Sequence, residues 1–380
     1  MTNSKSIVFV NQSSGYLMID IINAHLPHYD EIILLTGELK PRSNKLDDRV
    51  KVHYLKKYDR TSNFKRLLTW FGFFLKSFFL LKFKYAHAKI YFVSNPPFNT
   101  FSAYLLRNRS FSFLVFDIFP QSLSKIKFFG ESSFLYKKWE AMNHKVFSKA
   151  VYVFSISKGM QNILSTYSSK QNLVYTSLWS DSLFLKPLPK QTNSFAIDEH
   201  IVNTLNCVYS GNMGVTHPVE IIPEIAKNIS SNNVQFYMIG DGGKKQAIAA
   251  LKRKYQLHNF KLLPYQPMDV FPLSLAATDV GFVTLEEASS DLSVPSKFFS
   301  LLSVGAVIVG ICSKKSELAE LIDTHEVGKV FEVNEVDAMC SFINNLQQNK
   351  DVLASFKEKS INASQVFTSE NAKKLLFNHV

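Results

Sequence analysis

Cysteine is scarce in this 380-residue chain: Cys207, Cys312 and Cys340 are odd in number and far apart. That excludes a disulfide framework and a cysteine-based zinc site, and it points to a reducing compartment. No Walker A loop, His-Glu-x-x-His, EF-hand loop or Cys/His cluster occurs, and no Asp-x-Asp to hold a divalent ion on a diphosphate. Neither a metal nor another cofactor is therefore expected. Long apolar runs are missing too. The most apolar core, Leu67–Leu81, is shorter than the ~20 residues a spanning helix needs, and Lys76 interrupts it. The N-terminus has only Ile7–Val10 before polar Asn11-Gln-Ser-Ser14, which predicts a first strand rather than a signal peptide. Internal repeats and low-complexity tracts are absent.

Acidic residues are few in one half only. Residues 1–190 hold 27 Lys/Arg against 11 Asp/Glu, whereas 191–380 hold 16 against 20. Such asymmetry points to a polyanionic partner for the first half, either nucleic acid or anionic lipid. No groove-reading motif or aromatic-basic recognition set accompanies the charge, so nucleic acid is not expected. Segment 64–85 combines Phe, Trp and Leu with Lys65, Arg66, Lys76, Lys82 and Lys84. Lys65, Thr69, Gly72 and Lys76 recur at helical spacing as one narrow polar stripe. An interfacial membrane helix has this pattern, and so does a core helix with lysines snorkelling outward.

What is present otherwise reads as alternating strands and helices. Strand-length runs occur at Ile7–Val10, Glu31–Leu35, Val50–Tyr54, Ile90–Val93, Phe113–Phe116 and Val151–Phe154. The alternation restarts at Cys207–Tyr209 and continues through Val234–Ile239, Phe260–Leu263 and Val280–Val283. The prediction is α/β: two doubly wound domains, 1–185 and 207–365, each with a parallel sheet and with a ligand cleft between them. Pro187, Pro189 and Gln191–Ser194 mark 186–206 as a linker, and 366–380 as a C-terminal helix able to pack back on the first domain.

Several strand ends carry candidate chemistry. Asn11–Gly15 is a small-residue loop whose backbone could approach a ligand. Ser210-Gly-Asn-Met-Gly214 and Gly240-Asp-Gly-Gly243 suit backbone donors facing a diphosphate, although glycine after a strand also serves plain turns. Pro295 fits the first turn of a helix over 295–304, with Lys297 one turn inside and at the carboxyl edge of the sheet. The other reading is an ordinary surface lysine. Asp117 follows a strand and suits hydrogen bonding or acid/base work; its plain alternative is a cap. No histidine has a spaced partner.

Read in order, Ser94-Asn-Pro-Pro97, Asp117-Ile-Phe-Pro120, Ser155–Met160, Trp179-Ser-Asp181, Tyr209–Gly214, Ile239–Gly242, Leu263–Pro267 and Val294–Lys297 through Gly305 resemble the retaining glycosyltransferases of family 4. The likeness is to the branch that builds bacterial surface polysaccharides such as O-antigen, capsule and exopolysaccharide. It implies a GT-B fold and transfer of a sugar from a nucleotide-sugar donor to a lipid-linked saccharide, with retention. It further implies a cytoplasmic protein held peripherally on the inner face of the membrane. The first domain would bind acceptor and anionic lipid through Lys65, Arg66, Lys76 and Asn95. The second would bind donor through Gly211, Asn212, Gly214, Gly240, Asp241, Tyr265, Gln266, Val294, Ser296, Lys297 and Ser300, with Gly15 contributing from the first. Asp117 and Lys297 would be the catalytic pair. Two departures stand out: Ser300 and Leu292 occupy the positions of the paired glutamates, and His217 lies where a lysine is common. A nucleotide-sugar 2-epimerase of similar fold, or an inactive membrane- or polyanion-binding homologue, are the rival readings.

Overall fold

The computed structural model describes residues 5–59, 61–125, 130–214, 217–287 and 294–377. Leu292 and residues 378–380 lie outside them. The chain divides into one unit of residues 1–177 and 369–380 and a second of residues 178–368.

The first unit is a seven-stranded parallel sheet, built from β1 (Ser6–Val10), β3 (Glu31–Thr36), β5 (Lys51–Tyr54), β6 (Lys89–Val93), β7 (Phe111–Val115), β8 (Val153–Ser155) and β9 (Leu173–Tyr175). Its order is β5-β3-β1-β6-β7-β8-β9, and short strands β2 (Ser13–Gly15) and β4 (Glu38–Lys40) pair separately. The fully buried runs Ile7–Val10 and Ile90–Val93 explain the lack of alternation, because helices cover both faces. Those helices are α1 (Tyr16–His25), α2 (Asn63–Phe79), α3 (Asn99–Leu105), α4 (Gln121–Lys125), α5 (Phe134–Phe147) and α6 (Lys158–Leu164). Ser62, Ser133 and Ser157 each accept a backbone N–H three residues on, at the starts of α2, α5 and α6.

The second unit has β10 (Leu205–Ser210), β11 (Val234–Ile239), β12 (Phe260–Leu263), β13 (Val280–Thr284), β14 (Val307–Ile311) and β15 (Gly328–Phe331) in parallel order β12-β11-β10-β13-β14-β15. Its helices are α7 (Ser194–Asp198), α8 (Ile221–Asn228), α9 (Lys245–Lys254), α10 (Phe271–Ala276), α11 (Lys297–Ser303), α12 (Glu317–His325), α13 (Val336–Gln348) and α14 (Lys350–Ser364). In each sheet the chain leaves the founding strand in both directions. That puts topological switch points between β1 and β6 and between β10 and β13, where open α/β sheets bind ligands at the carboxyl edge.

Four expectations need correction. The stretch 186–206 is part of the second unit rather than a linker: Phe195, Ala196 and Ile201 pack on Val208, Tyr237 and Ile239. Lys190 in it pairs with the carboxylate of buried Asp279, which Lys357 also meets at 3.0 Å. Its prolines precede short helical turns and do not mark a tether. The end of the chain is not one helix over 366–380. Ser369–Leu375 forms 3-10 turns on the first unit, where Tyr91 donates to the Leu375 carbonyl and Phe377 N–H donates to His25 Nε2. Thr69, placed on the polar stripe of α2, is buried, since the inward face is Thr69, Trp70, Phe73 and Ser77. Finally, α11 begins at Lys297, so the lysine is the first helical residue and not one turn inside.

Candidate functional site

At the switch point of the second unit, β10 ends and the chain turns at Gly211 with φ +147°, a region closed to most L side chains. A Cβ there would stand in ordinary contact at 3.6 Å from Lys297 Cε and Nζ, so the backbone φ rather than lack of space calls for glycine beside the lysine. Gly240, at the end of β11 with φ +144°, packs so tightly that a Cβ would collide with the Gly211 carbonyl oxygen. Gly211 N–H donates to Ile239 O at 2.9 Å and Met213 N–H to Asp241 O at 2.8 Å. The two glycine loops are thus one packed unit. Gly240 is explained by this contact between loops, whereas Asp241 is exposed and accepts from Gly242 N–H.

Lys297 reaches into this edge from α11 and is partly buried. Its Nζ donates to the Tyr209 hydroxyl at 2.7 Å and sits 4.0 Å from the centre of that ring. Tyr209 passes the interaction on, donating to the Asn212 carbonyl at 2.6 Å. Among the described residues no carboxylate pairs with Lys297. Desolvation lowers its pKa to about 7, while burial raises that of the Tyr209 hydroxyl and keeps it protonated. A lysine held this way has its charge stabilised strongly by any anion that arrives.

His217 is a member that sequence reasoning left among the unassigned histidines. Its Nδ1 lies 2.8 Å from the Thr284 carbonyl at the end of β13. A carbonyl only accepts, so Nδ1 holds the proton and Nε2 presents a lone pair. Desolvation first, and the nearby Lys297 charge second, depress this histidine to about 4, so it is neutral at pH 7. Lys244 ties the same corner together through the His217 carbonyl at 2.8 Å, Glu220 at 3.0 Å and Glu286 at 3.7 Å. The His217–Thr284 contact joins residues 67 positions apart and the Lys244–His217 contact residues 27 apart, which no local pattern could reveal; the one local signal is that Lys244 follows the Gly240–Gly243 loop.

The other predicted donor residues sit at the same edge with less specific contacts. Val294 is buried ahead of α11, and Ser296 caps the helix without a side-chain hydrogen bond. Ser300 leans back on the Ser296 carbonyl at 3.5 Å. Gly214 lies against the Asn212 amide, and Asn212 itself is exposed. Tyr265 is exposed past β12 and close enough to Tyr209 to raise its hydroxyl further, while Gln266 donates to the Pro264 carbonyl. Among the described residues no group of three or more His, Cys, Asp or Glu is arranged to hold a metal ion.

The first unit builds its own switch point. Asn99, fully buried, donates to the carbonyls of Val10 at 3.1 Å and Val93 at 2.8 Å, pinning the ends of β1 and β6. Ser94 Oγ accepts the backbone N–H groups of Phe116 and Asp117 at 2.9 and 3.1 Å, which fixes where the Asp117 side chain leaves the sheet. Asp117 is solvent-exposed rather than a buried cap, yet the protein crowding the strand end raises its carboxyl pKa by desolvation. Asn95 is half-buried and precedes a cis proline; its carbonyl accepts from Gln12 N–H. Gly15 closes β2 and caps α1 instead of sitting in a free loop, with open space where a Cβ would point. Lys65 and Lys76 are exposed on α2 and Arg66 is half-buried, all on a helix separate from these strand ends. That helix also exposes Phe64, Leu68, Phe71 and Phe79, and the chain continues to exposed Phe83. No described helix is long and apolar enough to cross a membrane.

No family model matches the chain. It is 24% identical over 216 residues to the probable glycosyltransferase WbjE of Pseudomonas aeruginosa, covering 57% of this chain and 54% of that protein. It is 26% identical over 163 residues to the putative colanic acid biosynthesis glycosyl transferase WcaI of Escherichia coli K12, covering 42% and 40%. The match thus spans about half the length of these curated relatives. Among solved structures, Anabaena HepE in complex with UDP and glucose superposes with a TM-score of 0.72 at 14% identity, over 98% of both chains. The fold is accordingly that of the GT-B glycosyltransferases, with two Rossmann-like units.

Proposed function

We propose that this protein is a retaining glycosyltransferase of surface-polysaccharide synthesis, moving a sugar from a nucleoside-diphosphate sugar to a lipid-linked saccharide. The observation that carries the reading is Lys297. It is a partly buried amine that meets no carboxylate among the described residues, beside a glycine turn at the switch point of the second unit. Two further facts support it: the relatives are named as glycosyltransferases, and HepE was solved with UDP-glucose. In this scheme Lys297 meets the diphosphate, and the backbone N–H groups of Asn212 and Gly214 assist as charge grows on the leaving oxygen. The acceptor oxygen attacks the anomeric carbon, the bond to the diphosphate breaks, and the hydroxyl proton passes to the departing phosphate oxygen. Asp117 orients the acceptor from the first unit, and neutral His217 offers Nε2 to a sugar hydroxyl.

The same reading places the protein on the inner face of the cytoplasmic membrane. Its support is the basic first half and the exposed Phe/Leu ridge of α2 with Lys65 and Lys76 beside it. The test is incubation with UDP- and GDP-sugars and a polyprenyl-linked acceptor. Release of nucleoside diphosphate, with a product whose anomeric configuration by NMR equals the donor's, supports the proposal. An inverted product would refute retention. A 2-epimer of the donor sugar, or no reaction with any donor, would refute the transferase reading itself.

A further inference from the structure

One apolar cavity of the first unit has no lining residue from either switch point. A groove of about 480 Å³ lies between α3 and α5, lined by Phe101, Tyr104, Leu135, Trp139, Met142 and two lysines, Lys138 and Lys145. On the other side of α3, a second hollow of about 260 Å³ is lined only by Phe71, Phe74, Phe98, Phe101, Tyr104 and Leu105. Phe101 and Tyr104 belong to both, so one apolar trough runs from α2 across α3 to α5. Its walls remain open to water: Leu135 is 66%, Leu105 54% and Phe71 50% exposed. Apolar surface of this extent is left uncovered when something else covers it.

Charge is distributed unevenly along the trough. The α2–α3 end is purely apolar, whereas the α5 end has Lys138 and Lys145 on its lining, with exposed Lys137 and Lys149 nearby in sequence. The only acidic residue in α2, α3 or α5 is Glu140, which is turned to the Tyr167 hydroxyl at 3.3 Å. The occupant must therefore be an amphiphile with a long apolar body and an anionic group at one end. A two-chained phospholipid would leave one chain outside a single trough, while a single prenyl chain ending in phosphate fills it. The geometry points to a binding site for the isoprenoid chain and first phosphate of a polyprenyl phosphate, which deepens the acceptor half of the proposed function and rests on it.

The prenyl chain lies against Phe71, Phe74 and Phe101, and Lys138 and Lys145 meet the phosphate. The test uses farnesyl phosphate below its micelle concentration, titrated into the full-length protein by calorimetry. Ala141 is small, exposed and on the α5 side of the trough, so Ala141→Trp fills the space without disturbing the core. Binding should fall at least tenfold in Ala141→Trp and in Lys138→Glu/Lys145→Glu, with melting temperature unchanged. Farnesol should bind at least tenfold more weakly than farnesyl phosphate, and inorganic phosphate should not bind detectably. Unchanged affinity in both variants would overturn the proposal. So would equal, Ala141→Trp-sensitive binding of monomeric short-chain phosphatidylglycerol, which would assign the trough to bilayer acyl chains. Sugar transfer from UDP- and GDP-sugars to the polyprenyl-linked acceptor, measured on the same samples, separates the two readings. Transfer with no trough-dependent binding sinks only the trough, and binding with no transfer from any of these donors sinks only the transferase.

Discussion

At the residue scale the account depends on how Lys297 titrates. Burial lowers it to about 7, so near neutral pH it is divided between charged and neutral forms. A diphosphate binds the charged form and raises the pKa in the complex; affinity must then be greatest below pH 7 and fall as pH rises through it. The fall approaches tenfold per pH unit until the raised pKa of the complex is reached. Calorimetry of UDP between pH 6.5 and 9 should show this loss, together with proton uptake on binding. In Lys297→Arg, where the side chain stays charged, the same range should be flat. A pH-independent affinity in wild type would remove Lys297 from the phosphate. The sequence made Lys297 visible through the Pro-Ser-Lys string, but not its surroundings. Tyr209, Thr284 and His217 come from other strand ends, and only the parallel order of β10 and β13 makes them neighbours.

At the element scale, α2 faces two ways. Its buried side is held by Trp70 and Phe73, and Gln12 donates to the Thr69 carbonyl from the end of β1. Its outer side repeats Phe64, Leu68, Phe71 and Phe79 at helical spacing, with Lys65 and Lys76 exposed beside them. Fully burying one Phe contributes about 1.5–3 kcal/mol. Phe79→Ser with Phe83→Ser should therefore weaken adsorption to phosphatidylglycerol vesicles at least roughly tenfold, measured by co-sedimentation. Reversing Lys65 and Lys76 to Glu should weaken it as well and abolish its salt dependence. Equal wild-type adsorption to neutral and anionic vesicles would contradict the reading. Composition gave the amphipathic character of this helix, but the stripe was rotated in the sequence reading. Thr69 looks polar in a string, yet its hydroxyl bonds to the Arg66 carbonyl within the helix and so tolerates burial.

At the scale of the whole molecule, the last turns of the chain complete the first unit. Leu375 and Phe377 are buried there, and His25 uses both nitrogens: Nδ1 meets the Ile21 carbonyl at 2.7 Å and Nε2 accepts from Phe377. Deleting 369–380 should lower the melting temperature by several degrees or split the transition in two, read by calorimetric scanning, because it uncovers apolar surface and orphans buried Tyr91. An unchanged melt would show that the segment contributes nothing to the unit. This return was only partly legible, since a contact between residues 25 and 377 leaves no periodic trace, whereas the buried strand runs declared the two sheets directly. The segment 186–206 misled for the opposite reason: its prolines resemble a linker, while Phe195 and Ile201 carry the packing. The central claim is that the second unit holds a nucleoside diphosphate through Lys297, and calorimetry of UDP against uridine in wild type and Lys297→Ala tests it most directly. A charge-assisted phosphate contact contributes about 1.5–3 kcal/mol, so alanine should weaken UDP at least roughly tenfold and leave uridine unchanged. If both ligands lose affinity equally, or neither does, the diphosphate does not rest on Lys297 and the account is contradicted.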